Sequence, residues 1–215
     1  MEHASDAPLD AGTVKDGVYH NLTFGFSCTV PAGWVQRMEE MNGTDDTPAA
    51  GQADRGVEPA GSASALGEKS RAALDRTAGG GCPHTGCGQV LLAAFSRPPE
   101  ARGEDVNASI VIAAESAATY PGLKDAAQYF GPLTEVIQAR GFKVVEEPYE
   151  FSVGTKRLPR SDFQKDVGTH VMRQSTLVML DRGYVVSFTF IAGAEDDVEE
   201  LVEGLSFGAG GKALP

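Results

Sequence analysis

What this chain has little of narrows its role before any motif is considered. Its 215 residues include only three cysteines, Cys28, Cys82 and Cys87, so at most one disulfide can form within it. Positive charge is scarce: 18 Lys and Arg stand against 30 Asp and Glu, a formal net charge of −12. A general nucleic-acid binder needs a basic surface to displace phosphate counterions, and docking on anionic lipid needs the same, so the charge argues against both classes. No apolar run reaches the roughly 18 residues that a membrane-crossing helix requires, so no membrane span is expected. The opening MEHASDAPLDAG has neither a basic region nor an apolar core of the kind a secretory signal carries. A mature or trimmed chain would read the same way, so the compartment stays open. Hydrophobic residues make up 41% and charged residues 22%, ordinary usage for a soluble globular protein with one substantial core.

Residues 1–16 are small and polar and read as a loose tail. In LTFGFSCTV, Leu22, Phe24, Phe26, Cys28 and Val30 alternate with smaller or polar residues, which predicts a strand with one buried face. Cys28 then serves as a small core hydrophobe. Pro31-Ala32-Gly33 turns the chain into Trp34 and Val35, a second short strand. From about 39 to 88 the large apolar residues nearly vanish, which predicts a mobile insertion holding a weak helix over 64–77. QVLLAAFS (89–96) and SIVIAAES (109–116) read as central strands. Ala126, Tyr129, Phe130, Leu133, Val136 and Ile137 follow a helical period that Gly131-Pro132 should kink or split near Phe130. Strands follow over 143–153 and LPRSDFQKD. HVMRQSTLVML and YVVSFTFIA, joined by Asp181-Arg182-Gly183, read as a hairpin. EDDVEELVEGLSF closes the chain as a helix whose remaining acidic residues are a solvated face. This order predicts an α+β fold: a mostly antiparallel sheet carrying helices on its faces.

Two stretches carry residue types suited to chemistry. In GGGCPHTGCGQ (79–89), Cys82, His84 and Cys87 offer three metal donors within six residues, with His20, His170 or Cys28 available from elsewhere. The C-x₄-C spacing has no second pair, and it lacks the C-x-x-C opening of a helix that dithiol redox catalysis uses. A Cys82–Cys87 disulfide forms easily if the loop brings the Cβ atoms to about 4 Å; otherwise the two remain free thiols. In Arg160-Ser161-Asp162, strand alternation puts Arg160 and Asp162 on one face, near Lys156, Arg157 and Lys165. The pair reads as a polar surface site or as an edge-strand ion pair of small energetic weight. Ser161 lacks the Gly-x-Ser-x-Gly setting of a hydrolase nucleophile, and GGG and GAGG lack the Lys-Ser/Thr of a phosphate cradle. Trp34, Tyr129 and Phe130 read as core. No catalytic residue and no cofactor is indicated.

GVYHNLTFGFSCTVPAGW (17–34) resembles the opening of PsbP-like domains, with their Tyr-x-Asn, Phe-Gly-Phe and Pro-x-Gly-Trp run. RSDF, RQSTLVMLDRGYVVSFTF and the acidic helix ending in LSF are similar too, so the likeness covers about 150 residues. The resemblance implies an α/β/α sandwich around an antiparallel sheet. It makes 17–208 a single domain interrupted by the 39–88 insertion, with 209–215 a C-terminal tail. It also implies a non-enzymatic protein that binds or stabilises a protein or cell-envelope partner. The bacterial branch is the closer likeness, which favours export to an extracytoplasmic place, periplasmic, secreted or lipid-anchored, where Cys82 and Cys87 would meet oxidising conditions. The alternative expectation is a small-molecule or metal-binding protein, an enzyme among the options, working through the Cys82-His84-Cys87 loop.

Overall fold

The structure is a computed structural model that describes residues 9–42, 88–101, 103 and 105–208. Strands β1 (Thr13–Lys15), β2 (Val18–Asn21), β3 (Phe26–Thr29) and β4 (Val35–Gln36) open it, followed by a short helix α1 (Met38–Asn42). Next come β5 (Gln89–Phe95) and β6 (Ser109–Ser116), then α2 (Phe130–Ala139). The long strands β7 (Lys143–Val153), β8 (Lys156–Val167), β9 (His170–Asp181) and β10 (Tyr184–Ala192) follow, and α3 (Glu195–Glu203) leads into β11 (Leu205–Phe207). They form a four-stranded sheet, β1-β2-β3-β11, and a seven-stranded sheet, β4-β5-β6-β10-β9-β8-β7, with antiparallel pairing throughout.

The helix-flanked α/β/α arrangement is therefore corrected: the protein is mostly β, and the longest helix among the described residues has 10 residues. One face of the large sheet packs against the small sheet, where Tyr19, Phe26 and Cys28 meet Ile110, Ile112, Phe188 and Phe190 in one continuous core. Phe26 stands edge-on to Phe188 at 5.0 Å between ring centroids, and Phe207 of β11 closes on both rings. Helix α3 completes this layer with Val198, Leu201 and Val202. The opposite face carries a smaller core in which Tyr129, Phe130 and Ile137 cover Phe163, Val178 and Val185.

Local chemistry explains most elements. Asp181 pairs with Tyr184 across a two-residue turn in which Arg182 and Gly183 both have positive φ, 51° and 80°. Such a turn twists in the sense the strands need. A 3-10 turn at Ala127–Tyr129 gives way to α2 at Phe130, so Gly131 and Pro132 occupy the first helical turn, where proline's missing N–H costs nothing. Three sequence readings change. The stretch expected as a loose tail contributes β1, and Leu9 and Val14 pack on the main core. Leu22 is 83% exposed, because Asn21 Oδ1 accepts from Phe24 N–H at 2.9 Å and bends Leu22 out of the strand. The closing helix ends at Glu203, and Leu205–Phe207 pairs with β3 as a strand.

Candidate functional site

Among the described residues a concave surface lies where β3 hands over to β4 and α3 runs past. Val30 N–H donates to Gly17 O at 2.8 Å, Gly33 takes φ +82°, and Trp34 N–H reaches back to Pro31 O at 3.3 Å. That turn carries the chain from the small sheet to the edge of the large one and leaves Trp34 half-buried, its inner side on the core. Opposite, α3 buries Val198, Leu201 and Val202, an i, i+3, i+4 set, and so turns Asp197, Glu200 and Glu203 outward. Thr29 N–H donates to Gly204 O at 2.9 Å. A side chain at position 204 would stand 3.3 Å from Thr29 Cβ and 3.1 Å from Leu201 O, so glycine lets the helix end sit hard against β3. Between the two walls runs a groove of about 500 Å³ lined by Thr29, Pro31, Trp34, Asp197, Glu200 and Glu203 among others. Through Ala108 and Asp197 it borders a second hollow of about 320 Å³, which adds Asp105 and His170.

Helix α3 is held in place by charge as well as by apolar packing. Arg160 of β8 is 4% exposed. Its Nε donates to Asp162 Oδ1 at 3.0 Å, its Nη1 to Glu199 Oε2 at 3.0 Å, and its Nη2 to Glu199 Oε1. Phe151 lies under the guanidinium at 4.7 Å, and Tyr149 Oη donates to the other Asp162 oxygen at 2.9 Å. Burial alone would lower the arginine's pKa, but the Glu199 hydrogen bond and the charges of Asp162 and Glu199 outweigh it and hold the guanidinium protonated. Burial and the bond to Asp162 likewise keep the Tyr149 phenol neutral. With Arg160 charged and Tyr149 neutral, the network is an anchor. Beneath it Ser175, opposite Asp162 in the β8–β9 register, is fully buried, and its hydroxyl has no hydrogen-bond partner among the described residues.

A second polar cluster sits on the other face of the large sheet. Tyr120 Oη and Tyr129 Oη both donate to the Glu115 carboxylate, the latter at 3.1 Å, and the two rings meet edge-on at 5.1 Å. Burial raises both phenols, Tyr120 to about 12, with the Glu115 charge adding to the effect. These tyrosines hold their protons and tie the 3-10 turns Ala117–Thr119 and Ala127–Tyr129 to β6.

Of the residues singled out in the sequence, Cys82, His84, Cys87 and the 64–77 helix lie outside the described residues. Cys28 is fully buried and burial pushes its thiol up to about 12, His20 is half-buried on β2, and His170 is exposed at the start of β9. Among the described residues no three His, Cys, Asp or Glu side chains are grouped to hold a metal ion. Arg160 and Asp162 do meet, as the alternation implied, but beneath α3 rather than at an open strand edge. The sequence reading missed the groove itself. From sequence, Trp34 reads as core and the acids of α3 as a solvated face, since nothing local shows that both line one groove.

The fold and this cleft define a two-sheet antiparallel β protein with an acidic groove beside its last helix. No protein family and no curated protein matches the chain. Solved structures similar to it include a protein of unknown function, PA94 of Pseudomonas aeruginosa, at 16% identity, over 54% of this chain and 75% of that one, with a TM-score of 0.35. Another is LpqN of Mycobacterium tuberculosis, involved in cell envelope biogenesis, at 11% identity, over 59% of this chain and 86% of that one, with a TM-score of 0.30. Likenesses this distant carry no argument about function. Among the described residues no helix is long and apolar enough to cross a membrane.

Proposed function

We propose that this chain is an extracytoplasmic binding protein that acts by holding a protein or cell-envelope partner, without chemistry of its own. The observation that carries this reading is the groove between Trp34 and α3, about 500 Å³ in volume. Its walls combine a half-buried indole, a proline and Leu201 with carboxylates, the mixture of apolar anchor and polar rim by which proteins grip one another. The walls are also firmly held. Arg160 pins α3 to the sheet, and Gly204 seats the helix end against Thr29, so a partner would meet a preformed surface. Export and membership of the PsbP-like class belong to the same proposal and rest on the sequence resemblance.

The experiment is chemical cross-linking and affinity capture from the native envelope fraction, with wild-type protein beside Trp34→Ala. The expected result is a defined partner retained by the wild type and reduced at least about fivefold by the substitution, with the variant's fold verified by circular dichroism because Trp34 also packs on the core. Capture that is indifferent to Trp34, or turnover of a substrate in an activity screen, would overturn the reading.

A further inference from the structure

We infer that the groove is built for a lysine- or arginine-bearing extended segment of its protein partner, an inference that rests on the partner-binding reading above. Asp197, Glu200 and Glu203 follow one another along the outer side of α3 over roughly 9 Å. None of the three forms an ion pair with another described residue, whereas Glu199 on the same helix is turned inward and committed to Arg160. Neither the groove nor the adjoining hollow is lined by a lysine or an arginine among the described residues; the hollow adds Asp105, and Arg173 reaches only its rim, where Nη1 donates to Gly193 O at 2.8 Å. A cleft lined by one sign of charge between low-dielectric walls focuses the field and draws in the opposite charge.

The other wall decides between a peptide and a bare cation. Trp34 and Pro31 face the carboxylates across the groove. No other aromatic ring and no lysine or arginine of the described residues stacks on the indole. Lysine and arginine have this double character, an apolar stem for an aromatic wall and a cationic head for carboxylates, and an indole also attracts the cation through its ring face. A metal ion would use only the carboxylates, and those are not grouped for one. The groove and hollow together exceed the volume of a single side chain, which suits a segment presenting two or three basic residues.

The test uses a fluorescein-labelled 12-residue peptide of alternating lysine and alanine, its glutamate counterpart, and fluorescence anisotropy at low and high salt. Wild-type protein should bind the lysine peptide and not the glutamate one, and added salt should weaken binding. The triple substitution Asp197→Asn, Glu200→Gln, Glu203→Gln should weaken it about tenfold, and Trp34→Ala about fivefold. A control triple on β7, Glu146→Gln, Glu147→Gln, Glu150→Gln, removes the same charge from another exposed place and should change binding less than about twofold. The inference is overturned if the control weakens binding as much as the groove triple, or if the lysine peptide binds no better than the glutamate one. Should the peptide result fail while Trp34-dependent capture from the envelope persists, only the charge inference falls. Should neither depend on Trp34, the binding role falls with it.

Discussion

Arg160 and Glu199 form a two-pronged ion pair between β8 and α3, with Nη1 3.0 Å from Oε2. The arginine side chain is 5% exposed and the glutamate 42%, so the groove's outer helix is fixed to the sheet by a charge that water cannot reach. Removing Glu199 leaves that guanidinium with Asp162 alone. Glu199→Ala should therefore lose about 3 kcal/mol in urea unfolding, the low end of the range for broken buried pairs, because the carboxylate itself is partly solvated. A loss below about 0.5 kcal/mol would show that the pair does not anchor α3.

Two residues of one alternating run should respond in opposite ways. Phe26 fills the seam between the sheets against Phe188 and Phe207, while Leu22, four positions earlier, is exposed at the turn. Phe26→Ala should cost about 3–5 kcal/mol, and Leu22→Ala should stay within about 0.5 kcal/mol. Equal losses at the two positions in thermal or urea unfolding would contradict the two-sheet arrangement.

Alkaline pH should unfold the protein for an identifiable reason. Tyr19 and Tyr120 are pushed to about 12, chiefly by burial, and Tyr129 and Tyr149 are raised as well. Each is neutral when protonated, and the folded chain holds the proton more tightly than the unfolded one. The stability they contribute is whole below the ordinary tyrosine value of about 10 and is lost as pH rises through 12. The urea midpoint should be insensitive to these groups between pH 7 and 9 and fall between about 10 and 12, with late tyrosinate absorbance tracking the loss of circular dichroism. Tyrosines that all ionise reversibly near pH 10 in a still-folded protein would refute this.

The Cys28 thiol should be inert. It is fully buried on β3 and its pKa is pushed to about 12, so the reactive thiolate is nearly absent at neutral pH. Brief alkylation of native protein followed by peptide mapping should leave the Cys28 peptide unlabelled, and labelling should appear in denaturant. Modification of Cys28 at the rate of an exposed thiol would mean that the core at Tyr19 and Phe26 opens.

The long strands were legible in the sequence because each carries its own pattern. QVLLAAF and SIVIAAES are apolar runs of strand length, and the hairpin of β9 and β10 announces itself through Arg182-Gly183 between alternating segments. The change from 3-10 turn to helix at Phe130, just ahead of Gly131-Pro132, and the buried Cys28 are equally local matters. Of the small sheet only β3 was legible, through the alternation of Phe26 and Cys28. β1 and β11 have three residues each, and Leu205–Phe207 becomes a strand only because Phe26–Thr29 waits for it at the far end of the chain. A three-residue strand has too few positions to show a period, and its hydrogen bonds come from a partner that no local window contains.

The candidate site divides the same way. Composition determined that the chain carries a net negative charge, since charge is a sum over residues and needs no coordinates. Alternation alone placed Arg160 beside Asp162. Only tertiary structure could turn Glu199 down onto Arg160 while leaving Asp197, Glu200 and Glu203 to face Trp34. The reason is geometric. Which carboxylate of an acidic helix is buried and which is free depends on the side the helix lays against the sheet, and its partner across the groove lies more than 160 residues earlier in the chain.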